Sequence, residues 1–179
     1  MKKLSLFSFK SRKGFTLIEL LVVIGILGIL AAALIATIDP FEQIRKAQDT
    51  NVKDIAVQYV DANVRYYTTH SVLPWGVAAA NCNANAAPST TPVNLGSNTM
   101  AGCLNAMIAD GELKSAFTGV TTALSALSVV GTTESVTACF MPVSKAQKSD
   151  PNTKYNADGS LNQTGQCGPA STTCYWCTF

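Results

Sequence analysis

Residues 12–38 read RKGFTLIELLVVIGILGILAAALIATI, and this stretch decides the fold. From Phe15 to Ile38 it is almost wholly apolar, with one charge, Glu19, and no proline. A helix over these residues would be about 36 Å long at about 1.5 Å per residue, longer than the hydrocarbon core of a bilayer at about 30 Å. The stretch therefore predicts a transmembrane helix.

The residues before the apolar stretch are basic. Five cations and no acid precede Gly14, namely Lys2, Lys3, Lys10, Arg12 and Lys13. After the stretch, the first basic residue is Arg45. Because basic flanks stay in the cytoplasm, this asymmetry predicts that the leader remains inside the cell and that the chain beyond the helix lies outside.

An ordinary secretory signal peptide is the competing interpretation, since Ala31–Ala33 would supply a small-residue cleavage site. Two features count against it. The apolar run continues past these alanines to Ile38, whereas the apolar region of a signal peptide is usually about 7 to 15 residues long. A carboxylate in hydrocarbon also costs several kcal/mol unless it is paired or neutralised, so Glu19 needs a role.

The segment Arg12-Lys13-Gly14-Phe15-Thr16-Leu17-Ile18-Glu19-Leu20-Leu21 resembles the class III signal of type IV prepilins and type II secretion pseudopilins. The resemblance rests on a basic leader that ends in Gly14, on Phe15 and Glu19 at fixed spacing, and on the long apolar run. It implies that a prepilin peptidase cuts between Gly14 and Phe15 and N-methylates the new Phe15 amine. It also implies a type IV pilin-like α+β fold, in which a long N-terminal helix packs on a small antiparallel sheet.

The resemblance gives Glu19 a role in assembly. In filaments of this family the glutamate is thought to neutralise the N-terminus of a neighbouring subunit. Phe15 and Glu19 are one helical turn apart, so cleavage would place a cation and an anion on one face, and pairing would lower the cost of both charges in an apolar core. The implied partners are further copies of the chain, the prepilin peptidase, and an inner-membrane assembly platform with its ATPase.

The predicted helix contains two glycines and is followed by a proline. Gly25 and Gly28 lie one turn apart, which indicates either tolerance of small residues in membrane helices or close approach of helices in a filament. At Asp39-Pro40 the apolar run ends. Proline removes a helix hydrogen bond and clashes with the preceding turn, so we expect a kink or hinge at Pro40.

A second helical segment follows the proline. One stripe recurs at three- and four-residue steps: Phe41, Ile44, Gln48, Val52, Ile55, Tyr59, Ala62 and Tyr66. Charged residues mostly take the other faces, including Asp49, which predicts an amphipathic helix with this stripe against a head domain. We expect the helix to stop before Pro74 and place His70 at its end, as a surface residue without a catalytic or ligand role.

All six cysteines follow the apolar run: Cys82, Cys103, Cys139, Cys167, Cys174 and Cys177. An even number on the exported side predicts disulfides. Zinc is the alternative, because Cys174 and Cys177 have knuckle spacing, but a second knuckle is missing and there is one histidine. Six cysteines allow 15 pairings. A strand over 173–179 would point Cys174 and Cys177 to opposite faces, so they should have different partners, and we expect Cys82 to pair with Cys103.

The remaining segments predict an α+β head. Residues 75–100 predict a long loop, and 101–117 a short helix broken near Asp110-Gly111. Residues 124–130 and 135–143 predict an antiparallel strand pair, and 173–179 a final strand. Within the polar segment 145–168, Asp158-Gly159 predicts a tight turn.

Composition excludes several classes of function. Beyond the leader, 8 basic residues stand against 11 acidic ones, so no basic face favours nucleic acid. The oxygens of Asn156, Asp158 and Ser160 invite comparison with the calcium site of major pseudopilins, but calcium takes six to eight oxygen ligands and carboxylates are scarce here. We expect no metal, no cofactor and no catalytic site.

These observations predict a four-part chain: a cleaved leader over 1–14, a transmembrane and filament-core helix over 15–39, an amphipathic half over 40–68, and a disulfide-bonded head over 69–179. Three functions compete. A pilin would polymerise into a surface filament for adhesion, motility or DNA uptake, and the cysteines favour it. The tyrosines before Pro74 resemble the helix exit of major pseudopilins, which favours a secretion piston. A non-polymerising, membrane-anchored binding protein is the third.

Overall fold

The computed structural model describes residues 14–37, 39–76, 82, 91–163 and 167–179. The basic leader that precedes Gly14 and most of the predicted central loop lie outside the described residues. The chain divides into two compact units, one ending at Pro40 and one running from Phe41 to Phe179, and each is described by itself.

The first unit contains helix α1, which spans Leu17–Thr37. Its residues are mostly Leu, Ile, Val and Ala, and Leu17–Ile35 is long and apolar enough to cross a membrane. Every α1 residue whose burial is described is exposed, so no core within this unit accounts for the apolar surface.

Helix α2 spans Pro40–His70. Pro40 is its first residue, a position that tolerates proline because the missing N–H would have no helical partner there. The helix ends at Ser71, whose positive φ of 59° is typical of a helix C-terminus, and whose N–H donates to the Tyr67 carbonyl at 2.7 Å. The stop before Pro74 is therefore confirmed.

The predicted stripe of α2 is only partly buried. Its C-terminal part, including Ile55, Tyr59 and Tyr66, lies in the core as expected. Phe41 and Ile44 were expected against the head, but they are 71% and 55% exposed, because the core of the second unit begins further along the helix.

Beyond α2, the described residues contain three short helices. They are α3 (Asn98–Ala109), α4 (Thr121–Ala126) and α5 (Lys145–Lys148), with 3-10 turns at Pro74–Gly76 and Ser115–Gly119. The predicted break near Asp110-Gly111 is confirmed, since α3 ends at Ala109 and Gly111 has a φ of 79°, which a side chain would disfavour.

Five strands form one antiparallel sheet in the order β1-β2-β3-β5-β4. They are β1 (Val93–Asn94), β2 (Leu127–Gly131), β3 (Val136–Phe140), β4 (Thr153–Tyr155) and β5 (Tyr175–Thr178). Together with the long helices they confirm the α+β, pilin-like fold class. The sheet packs against α2 through a core that includes Tyr59, Leu127, Val129, Phe140 and Trp176.

One strand prediction needs correction, and two strands were not predicted. Residues 124–126 were predicted as the start of a strand, but they complete α4, and β2 begins at Leu127. The helix there buries Ala123 and Leu124, so tertiary packing overrides the β-like composition. The edge strands β1 and β4 were not predicted, because two or three residues cannot show an alternating pattern.

Three disulfides fasten the second unit. Cys82 pairs with Cys103, as expected from the sequence. Cys139 pairs with Cys177 across directly opposed positions of β3 and β5, and Cys167 pairs with Cys174 to close a small loop. Cys174 and Cys177 thus have different partners, and all six cysteines are consumed.

Candidate functional site

The start of α1 contains the predicted processing and assembly residues. Gly14, Phe15 and Thr16 precede the helix and have no regular secondary structure. The Phe15 side chain is 87% exposed. The Gly14–Phe15 peptide bond therefore lies outside the helical hydrogen-bond ladder, on an exposed segment that a peptidase can reach.

Thr16 and Glu19 form a reciprocal cap on the helix. The Glu19 Oε2 atom accepts the Thr16 N–H and the Thr16 hydroxyl, both at 2.8 Å. In return, the Glu19 N–H donates to the Thr16 Oγ1 atom at 3.3 Å. This is a capping box, in which the first and fourth residues satisfy each other's unpaired backbone donors.

The capping box gives Glu19 a partner within its own chain. A carboxylate at a helix N-terminus is also favoured by the helix dipole. The hydrogen bonds reduce the cost of carrying this charge at the edge of an apolar run, and they leave the carboxylate one turn from the N-terminus that cleavage after Gly14 would create.

The rest of α1 is an uninterrupted apolar surface. The exposed large residues Leu20–Ile24 are consecutive, so at 100° per residue they cover all sides of the helix. Gly25 and Gly28 lie within this surface, and a Cβ atom added at either would meet nothing within 4 Å. Among the described residues, nothing therefore requires glycine at these two positions, although glycine in a helix costs about 1 kcal/mol relative to alanine.

The comparison with known families decides the identity of this segment. Residues 9–35 match the family model of the prokaryotic N-terminal methylation motif. The match contains Gly14, Phe15, Glu19 and most of α1. The match supports a class III prepilin signal, the N-terminal signal of type IV pilins and pseudopilins. The pilin-family motif is that of a structural subunit. No curated protein and no solved structure matches the chain.

The other predicted site residue of this region is Pro40. Between α1, which ends at Thr37, and α2, which begins at Pro40, Asp39 has no helical assignment. The interruption thus falls just before the proline, on the side where its ring clashes with the preceding turn. A hinge at Pro40 stays a prediction.

His70 lies at the C-terminus of α2. Its ring stacks on Tyr66 with 4.1 Å between centroids, and its Nε2 atom is 3.6 Å from an Asp110 oxygen. Burial, and then the nearby Asp110 charge, raise the pKa of the Tyr66 hydroxyl. These contacts tie the end of α2 to the end of α3, which is a structural role at the surface.

The turn at Asp158-Gly159 is the remaining candidate. Gly159 has a φ of 77°, and the Asp158 Oδ1 atom accepts the Ser160 hydroxyl at 2.6 Å and its N–H at 3.0 Å. These two bonds, the hydroxyl first, hold the pKa of Asp158 below its usual value. The Asp158 carboxylate is therefore engaged within its own turn. In the described part of the chain, no group of three or more His, Cys, Asp or Glu side chains is placed to hold a metal ion.

Two functional contacts were missed at the sequence level. The capping box was visible in the pattern Thr16-Leu17-Ile18-Glu19 immediately before an apolar run. The second is Asp49, assigned to a solvent face but only 3% exposed in the structure. Its spacing of seven residues from Glu42 places both carboxylates on one face of α2, which was the available signal.

Proposed function

We propose that this chain is a pilin, a structural subunit that polymerises into a type IV pilus-like surface filament for adhesion, motility or DNA uptake. The observation that carries the proposal is α1, an exposed apolar helix whose N-terminus bears the methylation motif and a capped Glu19. Such an apolar surface needs an environment of lipid or protein. The membrane supplies lipid before assembly, and the filament core supplies protein afterwards.

The first step is processing. A prepilin peptidase cuts the exposed Gly14–Phe15 bond and methylates the Phe15 amine. The mature subunit then carries a cation at Phe15 beside the carboxylate of Glu19. In a filament, Glu19 of one copy meets the Phe15 amine of the next, so that neither charge is buried alone.

The second step is transfer from the membrane into the filament. The precursor resides in the inner membrane as a single-pass protein, and an assembly platform with its ATPase extracts it to the cell surface. Gly25 and Gly28 support close helix packing in the polymer, since no contact within the described part of the chain requires them. Pro40 would act as a hinge that lets the helical segment bend as it packs.

The head favours a pilus over a pseudopilus. All six cysteines form disulfides, and cross-links that restrict the unfolded chain suit a domain exposed to the external medium. A major pseudopilin of a type II secretion system is the second candidate, favoured by Tyr66 and Tyr67 at the exit of α2 before Pro74. Purifying surface filaments and identifying their main subunit by mass distinguishes the two.

A processing experiment tests the first step. Mass spectrometry of the mature chain should find an N-terminus at methylated Phe15. A start at Leu34 would indicate an ordinary signal peptidase, and a start at Met1 an unprocessed anchor; either would contradict prepilin processing.

An assembly experiment tests the second step. Glu19→Ala should abolish surface filaments, because it leaves the Phe15 amine unpaired, while the chain remains in the membrane fraction. Glu19→Asp keeps the charge and should retain part of the assembly. Filaments with unchanged subunit content in Glu19→Ala would favour the non-polymerising, membrane-anchored class.

A further inference from the structure

One end of the second unit is formed by the start of α2 (residues 41–49) and the segment 141–148. We call this end the base. Asp49 on α2 accepts the N–H groups of Val143 and Ser144, and Glu42 accepts the Lys145 N–H. These hydrogen bonds place the two parts side by side, although about a hundred residues separate them in the chain.

The base presents apolar side chains to solvent. Phe41, Ile44 and Val143 are 71%, 55% and 52% exposed, and Met141 is 43% exposed. Each is a large residue of a type that is usually buried. Val64, Leu161 and Phe179 of the same unit are exposed as well, at 54%, 59% and 65%, so what distinguishes the base is that its exposed apolar residues occur together with cations.

The base also differs from the rest of the unit in charge. It contains four cations, Arg45, Lys46, Lys145 and Lys148, and two carboxylates, so its net side-chain charge is +2. Both carboxylates, Glu42 and Asp49, accept backbone N–H groups of the neighbouring segment, and Glu42 also forms an ion pair with Arg45 at 3.8 Å. The remainder of the second unit carries four cations against seven carboxylates, a net charge of −3.

Covalent continuity limits where the base can be. Five residues separate Ile35, the end of the apolar membrane-spanning stretch, from Phe41. Even a fully extended chain would put Phe41 within about 20 Å of Ile35. While α1 is in the membrane, the base therefore has the lipid headgroups within reach.

From these observations we propose that the base rests on the anionic phosphate headgroups of the membrane before assembly, with its apolar side chains at the interface and its four cations among the phosphates. The combination of exposed apolar and basic residues is typical of peripheral membrane surfaces. The anionic membrane surface repels the acidic remainder of the second unit, so the contact sets the orientation of that unit on the membrane. The proposal rests on the membrane-anchored state in the proposed function and is independent of whether the filament is a pilus or a pseudopilus.

The test uses tryptophan fluorescence of the full chain, one copy per lipid nanodisc. Val143→Trp reports the base, because Val143 lies 108 residues after Ile35 and continuity does not force it onto the membrane. Val64→Trp is the matched control: Val64 is also exposed, at 54%, but lies about 35 Å further along α2 than Phe41. Trp75 and Trp176 are buried and give a common background.

In discs that contain phosphatidylglycerol, brominated lipid should quench the fluorescence of Val143→Trp and spare that of Val64→Trp. Replacing phosphatidylglycerol by phosphatidylcholine should weaken the quenching. Lys145→Gln and Lys148→Gln should each lower the ratio of contacting to free heads by roughly fivefold, since a cation near an anionic surface contributes about 1 kcal/mol. The Lys145 backbone bond to Glu42 is preserved in the variant.

Three results would overturn the proposal. The first is no quenching of the introduced tryptophan of Val143→Trp in anionic discs. The second is equal quenching of the tryptophans introduced at positions 143 and 64. The third is quenching in Val143→Trp that does not change with lipid charge or with the two lysine substitutions. A blue shift in Val143→Trp that appears only with several copies per disc would assign the base to contacts between subunits instead. A chain that does not co-purify with discs would overturn the membrane anchor itself, and the base contact with it.

Discussion

Asp49 on α2 holds Ser144, 95 residues later, through a single carboxylate oxygen that accepts both the Ser144 N–H at 2.7 Å and its hydroxyl at 2.6 Å. The same carboxylate accepts the Val143 N–H at 3.0 Å. Asp49 and Ser144 are both buried, so these bonds are shielded from water. They attach the segment that follows β3 to the long helix.

Asp49→Ala should lower the free energy of unfolding by about 3 kcal/mol. The variant leaves the Ser144 donors buried without an acceptor, which costs more than a typical net hydrogen bond. Urea denaturation with the disulfides intact measures the change. Asp54→Ala, at an exposed position five residues further along α2, is the control and should change stability by less than about 0.5 kcal/mol. Equal effects of the two substitutions would contradict a structural role for the Asp49 carboxylate.

Thr16→Ala should loosen the first turn of α1, because it removes the acceptor for the Glu19 N–H and the hydroxyl donated to the Glu19 carboxylate. Losing such a cap costs about 1 kcal/mol. The Glu19 amide should therefore exchange roughly fivefold faster in nanodiscs. Thr16→Ser keeps the hydroxyl and should exchange like the original chain, as should the Leu34 amide in either variant. Unchanged Glu19 exchange in Thr16→Ala would show that the cap is not formed in lipid.

The N-terminal helix was predictable because its signals are local and redundant. The apolar run between Phe15 and Ile38, the single Glu19 and the Asp39-Pro40 interruption each depend on neighbouring residues alone. The pairing of Cys82 with Cys103 was also anticipated, as was the turn at Gly159. These features needed no knowledge of the distant parts of the chain.

What the sequence did not reveal depends on long-range packing. Asp49 looks like a surface residue because its partners, Val143 and Ser144, come from a remote segment. Leu124 looks like part of a strand, yet the core draws it into α4. Phe41 and Ile44 continue the helical stripe correctly, but periodicity cannot show where the covering domain ends.

The three disulfides should differ in their effect on stability according to the loops they close. In the chain-entropy model, a separation of 38 residues between Cys139 and Cys177 corresponds to about 4 kcal/mol, and one of 7 residues between Cys167 and Cys174 to about 2.5 kcal/mol. Paired Cys→Ser replacements, compared by urea denaturation, measure both. The Cys82–Cys103 pair, with a separation of 21, should fall between them. A larger loss from the 167–174 pair would mean that local packing outweighs loop closure.

Gly28→Leu should separate the stability of the subunit from its assembly. A Cβ at Gly28 meets nothing within 4 Å, and leucine favours helix over glycine, so the detergent-solubilised subunit should keep or gain helicity by circular dichroism. In a filament the added side chain would hold neighbouring helices apart, and surface filaments should be lost. Gly28→Ala adds one methyl group and should impair assembly less. Ala33→Leu makes a similar increase in size at an exposed position that is not glycine, and should be tolerated better than Gly28→Leu. Normal filaments in Gly28→Leu would mean that this face of α1 does not form a close helix contact.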